Sequence, residues 1–192
     1  MNIQLLYITN DAENFIGQCA SICYDSRTDR EANTKRAAHC VDKGHLATLR
    51  FATAVFNVSG ISRAAANQFV RSKHLDFLQR SQRYCAEDTP TFVYPNTAHF
   101  DFIDNSYKDA LVNYNTLLAN GVKKEDARMV LPLGIATELN VVGNFQAWLD
   151  FLKLRTDKAA QAEIREVAVR IGHRLAESCP NIFKEYRYDQ ST

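Results

Sequence analysis

Apolar and polar positions along this chain switch between two periods, and each switch marks a structural element. Residues 2 to 8 (NIQLLYI) read as an opening strand. Phe15, Ile16, Cys19, Ile22 and Cys23 then recur at helical spacing and predict a helix from Ala12 to Tyr24. A polar helix follows over Asp29 to Lys43, closed by Gly44 as a C-cap residue. Phe51 to Gly60 (FATAVFNVSG) is rich in β-branched and aromatic residues and predicts a buried strand, after which Ser62 offers an N-cap hydroxyl. The helix it opens is expected to run from Arg63 to Lys73, with Ala65, Ala66, Phe69 and Val70 inward. Gln68, Arg71 and Ser72 then share another face.

Leu75, Phe77 and Leu78 provide apolar anchors beyond that helix, and Gln79, Ser81 and Arg83 fall at alternate positions. An extended backbone would point those three side chains the same way. Residues 86 to 99, with Pro90 and Pro95 and no period, predict a loop, followed by helices near Asn105 to Leu118 and Lys124 to Met129 that Gly121 separates. Phe145, Trp148, Leu149 and Leu152 mark a further helix ending near Arg155. Ile164, Val167, Ala168, Ile171 and Leu175 mark another, stopped by Pro180.

A chain of 192 residues with 46% hydrophobic content can bury one substantial core, so residues 1–192 are read as a single domain. No stretch approaches the roughly 18 apolar residues of a membrane span, and the N-terminus does not read as a leader. A soluble, cytoplasmic protein is the expectation. The five cysteines (Cys19, Cys23, Cys40, Cys85 and Cys179) are scattered without a C-x-x-C pair and read as buried free thiols. The His39, Cys40 and His45 cluster has no second ligand pair and is read as packing, so no metal is assigned.

Charge changes the picture. Residues 61 to 84 place Arg63, Arg71, Lys73, Arg80 and Arg83 against Asp76 alone, in a chain whose 23 Lys and Arg nearly balance its 22 Asp and Glu. A compact anion site for a phosphate-bearing ligand is favoured over a nucleic-acid footprint, which usually makes a whole domain basic.

Several pieces occur in a fixed order: GH-x-x-T-L at 44 to 49, GISR at 60 to 63, Q-x-x-R at 68 to 71 and LQRSQRY at 78 to 84. ARMVLP at 127 to 132, Asn144, LR at 154 to 155 and AQAEIR at 160 to 165 complete the set. Together they resemble the flavin-dependent thymidylate synthases over nearly the whole chain. The resemblance implies an α+β fold, a twisted, mainly antiparallel sheet flanked by long helices, assembled as a homotetramer with shared active sites. It also implies FAD as cofactor, with NADPH and methylenetetrahydrofolate as co-substrates for reductive C5 methylation of dUMP to dTMP without a cysteine nucleophile.

Carried over residue by residue, the resemblance makes Gln79, Ser81, Gln82 and Arg83 the loop that holds the nucleotide, with serine and arginine gripping phosphate through charge-assisted hydrogen bonds. Arg128 matches a further phosphate-binding arginine from a neighbouring subunit. Gln68 would hold the base, and Arg155 would lie beside the uracil ring as the catalytic cation. Arg71, Ser72, Lys73 and Asn144 fall on the cofactor side. As bland alternatives, Arg155 caps its helix C-terminus, Asn144 caps a helix N-terminus and Arg71 is a surface charge.

The chain departs from the family at the signature R-H-R, which here is Arg71-Ser72-Lys73, and at a Glu-His pair replaced by Arg50-Phe51. Gln146 and Asp150 also stand where the family commonly shows Arg and His or Asn. Three readings stay open: a thymidylate synthase, a related C5 methylase acting on UMP, dUMP or another uridylate, and a non-catalytic uridylate-binding homologue.

Overall fold

The computed structural model describes residues 1–26, 28–87 and 90–187. Its centre is an antiparallel four-stranded sheet in the order β1-β2-β4-β3, built from β1 (Asn2–Ile8), β2 (Thr53–Ser62), β3 (Leu75–Gln79) and β4 (Ala136–Asn144). Alternation decides its two faces. Ala54, Phe56 and Val58 on β2 and Leu139 and Val141 on β4 are buried. On the opposite face Asn57 donates to Glu138 Oε1 at 2.7 Å and to Asn140 Oδ1 at 3.0 Å. Gly60, at φ +69°, takes up the register shift between Ser59 and Ile61.

Two helices, α6 (Phe145–Arg155) and α7 (Ala162–Ser178), supply much of the core on the buried face. The predicted apolar stripe of α7 is buried in full, and Trp148 of α6 packs edge-on to Phe56 at 5.1 Å. The indole N–H of Trp148 donates to the Ala54 carbonyl at 3.2 Å, so its one polar atom is satisfied inside the core. The remaining helices are α1 (Ala12–Ser21), α2 (Arg30–Asp42), α3 (Arg63–Phe69), α4 (Phe100–Ala119) and α5 (Lys124–Ala127). Among the described residues, no helix is long and apolar enough to cross a membrane.

The α1 and α2 helices meet at Gly17, where an added Cβ would lie 1.9 Å from the Asn33 carbonyl oxygen. That neighbour is main chain and cannot swing aside. Gly17→Ala is therefore expected to destabilise the fold by about 1–3 kcal/mol, as overpacked cores do, and thermal unfolding would register it as a lower Tm. An unchanged Tm would mean that the two helices separate freely.

The structure corrects several expectations. The second strand runs Thr53–Ser62 rather than from Phe51, because residues 46–51 coil into 3-10 turns that leave Phe51 exposed. Helix α3 ends at Phe69, four residues early: the chain reverses at His74, φ +64°, to enter β3 opposite Gly143. Val70 is consequently exposed rather than inward; Leu78, and Phe15, Ile22 and Cys23 at the first helix, are exposed as well. Strand β4 lies in a stretch for which no element was anticipated. Helix α4 starts at Phe100 rather than near Asn105. Within the 86–99 loop, Phe92 pairs with Ile135 through an isolated bridge, and Asp88 and Thr89 lie outside the described residues. Of the cysteines, only Cys40 and Cys179 are buried, and burial pushes the Cys179 thiol up to about 12, with Glu13 and Asp11 adding to the shift.

Candidate functional site

The local chain between β2 and β3 sets up the site. Ser62 caps α3 by accepting from Ala65 N at 3.0 Å. Its own N–H and hydroxyl donate to the two carboxylate oxygens of Glu163, each at 2.6 Å. The start of α3 is thereby tied to the first turn of α7. Gln161, the N-cap of α7, accepts from Ile164 N at 3.3 Å and also from Gln68 Nε2 at 3.5 Å. The A-Q-x-E-I-R stretch thus positions two other elements as well as its own helix.

Gln68 and Arg155 come together at the far end of α3. Arg155 Nη2 donates to the Gln68 carbonyl at 3.2 Å, while Arg155 Nε is buried with no partner. Most buried polar groups are hydrogen-bonded, and an orphaned one asks for an explanation that a bound acceptor would supply. Arg155 is also the last residue of α6, so it occupies the favourable end of that helix's dipole as well.

A second corner forms around α5. Arg83 Nε pairs with Glu125 Oε2 at 2.8 Å, and Arg128 Nε donates to the Glu125 main-chain carbonyl at 3.1 Å. The hydrogen bond from Arg83 holds the Glu125 carboxyl below the usual carboxylate range, with the charge of the same arginine adding to it. The loop from Gln79 to Arg83 does not stay extended as its alternation suggested. Gln79 Nε2 turns to Thr137 Oγ1 at 3.2 Å, and after Ser81 the chain bends so that Arg83 N approaches Ser81 Oγ at 3.3 Å. The turn carries the side chains of Ser81 and Arg83 off a common face. Gln82 is 5% exposed and its Nε2 has no partner.

Three residues at this corner were missed by the sequence reading as site residues. Arg63 Nη2 donates to the Arg80 carbonyl at 3.0 Å, and Arg80 Nη1 pairs with the buried Glu87 at 2.5 Å. Burial draws the Arg63 guanidinium below its ordinary range, Glu87 opposes this, and Arg128 and Arg80 add to the lowering. Arg63 Nε is buried without a partner. The five-to-one charge count over residues 61 to 84 was the available signal, because it contained Arg63 and Arg80 as well as Arg83.

The proposed cofactor side is only partly assembled as expected. With α3 ended at Phe69, Arg71, Ser72 and Lys73 sit in the following turn and share no helical face with Gln68. Arg71 and Lys73 are exposed, while Ser72 Oγ is buried with no partner. Asn144 caps α6 by accepting from Ala147 N at 2.9 Å, and it also lines a cavity of about 280 Å³ with Arg50, His74, Gln146, Ala147 and Asp150. That volume lies just under the ~300–1,000 Å³ typical of whole-ligand pockets, so one end of a cofactor fits it. The amides of Asn144 and Gln146, which line this cavity, are compatible with the polar ring edge of a flavin.

Comparison with known proteins identifies the family to which the chain is similar. The family model described as thymidylate synthase complementing protein matches residues 4–181. A flavin-dependent thymidylate synthase of Corynebacterium efficiens is 30% identical over 196 residues, covering 91% of this chain and 78% of the relative. One from Mycobacteroides abscessus is 28% identical over 193 residues, covering 90% and 77%. One from Mycobacterium leprae is 30% identical over 192 residues, covering 85% and 76%.

Proposed function

Since this chain belongs to the thymidylate synthase complementing protein family, we propose that it is a flavin-dependent thymidylate synthase, a methyltransferase that converts dUMP to dTMP with methylenetetrahydrofolate and NADPH. The single observation that carries this reading within the chain is the Arg155 guanidinium, which bonds the Gln68 carbonyl while its buried Nε has no partner.

In this reading Gln68 holds the uracil by its side-chain amide. Arg155 lies against the ring, where a fixed cation stabilises the negative charge that builds on the pyrimidine as C5 becomes nucleophilic. Arg83 and Arg128 receive the phosphate at the Glu125 corner, helped by Ser81 and Gln82, with Gln79 positioning the loop. Arg63 and Arg80 keep that corner electropositive from behind. Arg71, Ser72, Lys73 and Asn144 are the residues that would hold FAD. Bound FAD supplies the redox chemistry that carries the one-carbon group from the folate to C5 and reduces it to a methyl.

We further propose that the whole chain forms one domain and assembles as a homotetramer. Because Arg83 and Arg128 of one chain both meet Glu125, Arg128 is read with the Arg83 loop rather than as a neighbour's residue, and this corner closes on the Gln68 and Arg155 corner of another subunit. The test is product analysis with purified protein, FAD, NADPH, methylenetetrahydrofolate and either dUMP or UMP. dTMP from dUMP supports the reading. Methylation of UMP alone shifts the substrate to a ribonucleotide, and binding of both FAD and dUMP with no product makes the protein a uridylate-binding homologue.

A further inference from the structure

We propose that Arg50 and His74 are flavin contacts of this chain, standing in for the imidazole and the second guanidinium that Arg71-Ser72-Lys73 lacks. The inference rests on the flavin-dependent reading above. It starts from the cavity that Asn144 shares with Arg50, His74, Gln146 and Asp150.

Both residues reach the cavity through features of this particular chain. Arg50 sits near the end of the 3-10 segment before β2, and its Nε donates to Gln146 Oε1 at 2.7 Å. That bond fixes the orientation of the Gln146 side chain: its oxygen faces Arg50, which leaves the amide N–H₂ group to turn elsewhere along the cavity. Asn144 is oriented by the same logic, because its oxygen caps Ala147 N and its amide N–H₂ remains to donate.

His74 is held in place from the backbone. Its φ of +64° is a left-handed conformation that a non-glycine residue keeps only where the surrounding structure holds it there. The neighbouring strand requires that turn. Leu75 pairs with Gly143, and a Cβ on Gly143 would lie 2.2 Å from Leu75 Cδ2 and 3.5 Å from the His74 carbonyl oxygen. The close approach that the bare Gly143 allows holds His74 next to the strand that ends at Asn144, and His74 lines the same cavity as Asn144, one residue beyond the Arg71-Ser72-Lys73 triplet.

The mixture of groups selects a kind of ligand. A pyrophosphate would be attracted to Arg50 but repelled by Asp150. A flavin ring edge carries carbonyl oxygens that accept and a ring N–H that donates. It matches the donors of Arg50, Gln146, Asn144 and His74 together with the acceptor of Asp150. The ring portion of the cofactor is therefore assigned to this cavity.

The experiment is titration of the purified full chain with FAD, followed by flavin fluorescence, in wild type, Arg50→Ala and His74→Gly, with dUMP titrated in parallel. Glycine tolerates the positive φ, so His74→Gly removes the imidazole without straining the turn. Each substitution is expected to weaken FAD binding about tenfold and to leave dUMP affinity within about twofold of wild type. Wild-type FAD affinity in both variants would overturn the assignment and leave the flavin-dependent reading standing. A wild-type protein that binds dUMP and takes up no FAD would overturn both.

Discussion

Arg155→Ala is expected to lower kcat for dTMP formation by about 10²–10³-fold while raising the dUMP Kd by less than about tenfold. The split follows from what the guanidinium touches. One nitrogen, Nη2, is engaged with the Gln68 carbonyl at 3.2 Å, which fixes the group in place, and Nε is buried and unpartnered. A donor already desolvated and already oriented adds little to ground-state binding of a neutral uracil. It adds most when the ring acquires charge, because no reorganisation is then needed. Arg155→Lys should recover only a small part of the loss, since an ammonium cannot keep the Gln68 bond and present a second planar donor together. Stopped-flow single turnovers separate chemistry from product release. A variant with unchanged kcat and a much higher dUMP Kd would make Arg155 a binding residue and sink the catalytic assignment.

How much of this was legible in the sequence depended on whether local pattern or distant packing decided each element. The α7 stripe and the Phe145, Trp148 and Leu152 series of α6 were legible because a helix against a sheet must bury one face, and both sets are buried. Ser62 was legible as a cap because its hydroxyl acts on its own helix. The end of α3 was not legible. Residues 70 to 73 contain nothing that forbids helix; the chain turns there so that Leu75 can pair with Gly143 of β4, 68 positions beyond Leu75, whose bare Cα allows the close approach. Strand β4 was missed although Thr137, Leu139, Val141 and Gly143 alternate as buried positions, because Thr137 and Gly143 break the apolar reading of that alternation.

The candidate site shows the same division. The residues proposed for the nucleotide came from a resemblance and a charge count, neither of which depends on the local conformation. The expected alternation of Gln79, Ser81 and Arg83 was wrong in geometry, yet the structure still brings Arg83 to Arg128 at Glu125. Arg63 and Arg80 were inside that charge count, but their contacts with one another and with Glu87 follow only from the folded placement of α3 beside residues 80 to 87. Arg50 and His74 are recognisable only once β3, β4 and the 3-10 segment are assembled. Sequence reading therefore located the groups that carry the family pattern and passed over the groups that a departure from the pattern brings into use.

Arg83→Ala is expected to raise the dUMP Kd by about 10- to 100-fold, the loss of one charge-assisted hydrogen bond of about 1.5–3 kcal/mol to phosphate. In the unliganded chain Arg83 is already paired with Glu125 at 2.8 Å, and phosphate must displace that carboxylate or share the arginine with it. The pair is accessible, with side-chain exposures of 56% and 36%, so it is worth at most about 1 kcal/mol and yields readily to a dianion. Its use is to hold the guanidinium near Arg128 until the nucleotide arrives. Glu125→Gln is accordingly expected to change dUMP affinity by less than about fivefold, because removing a competing carboxylate and loosening Arg83 act in opposite directions. Deoxyuridine, which lacks the phosphate, separates a phosphate contact from a collapsed loop: its affinity should be the same in wild type and Arg83→Ala. Calorimetric titration of both ligands makes the comparison. An unchanged dUMP Kd in Arg83→Ala would remove Arg83 from the phosphate site, and an equal loss for deoxyuridine would show that the arginine instead supports the turn between Ser81 and Cys85.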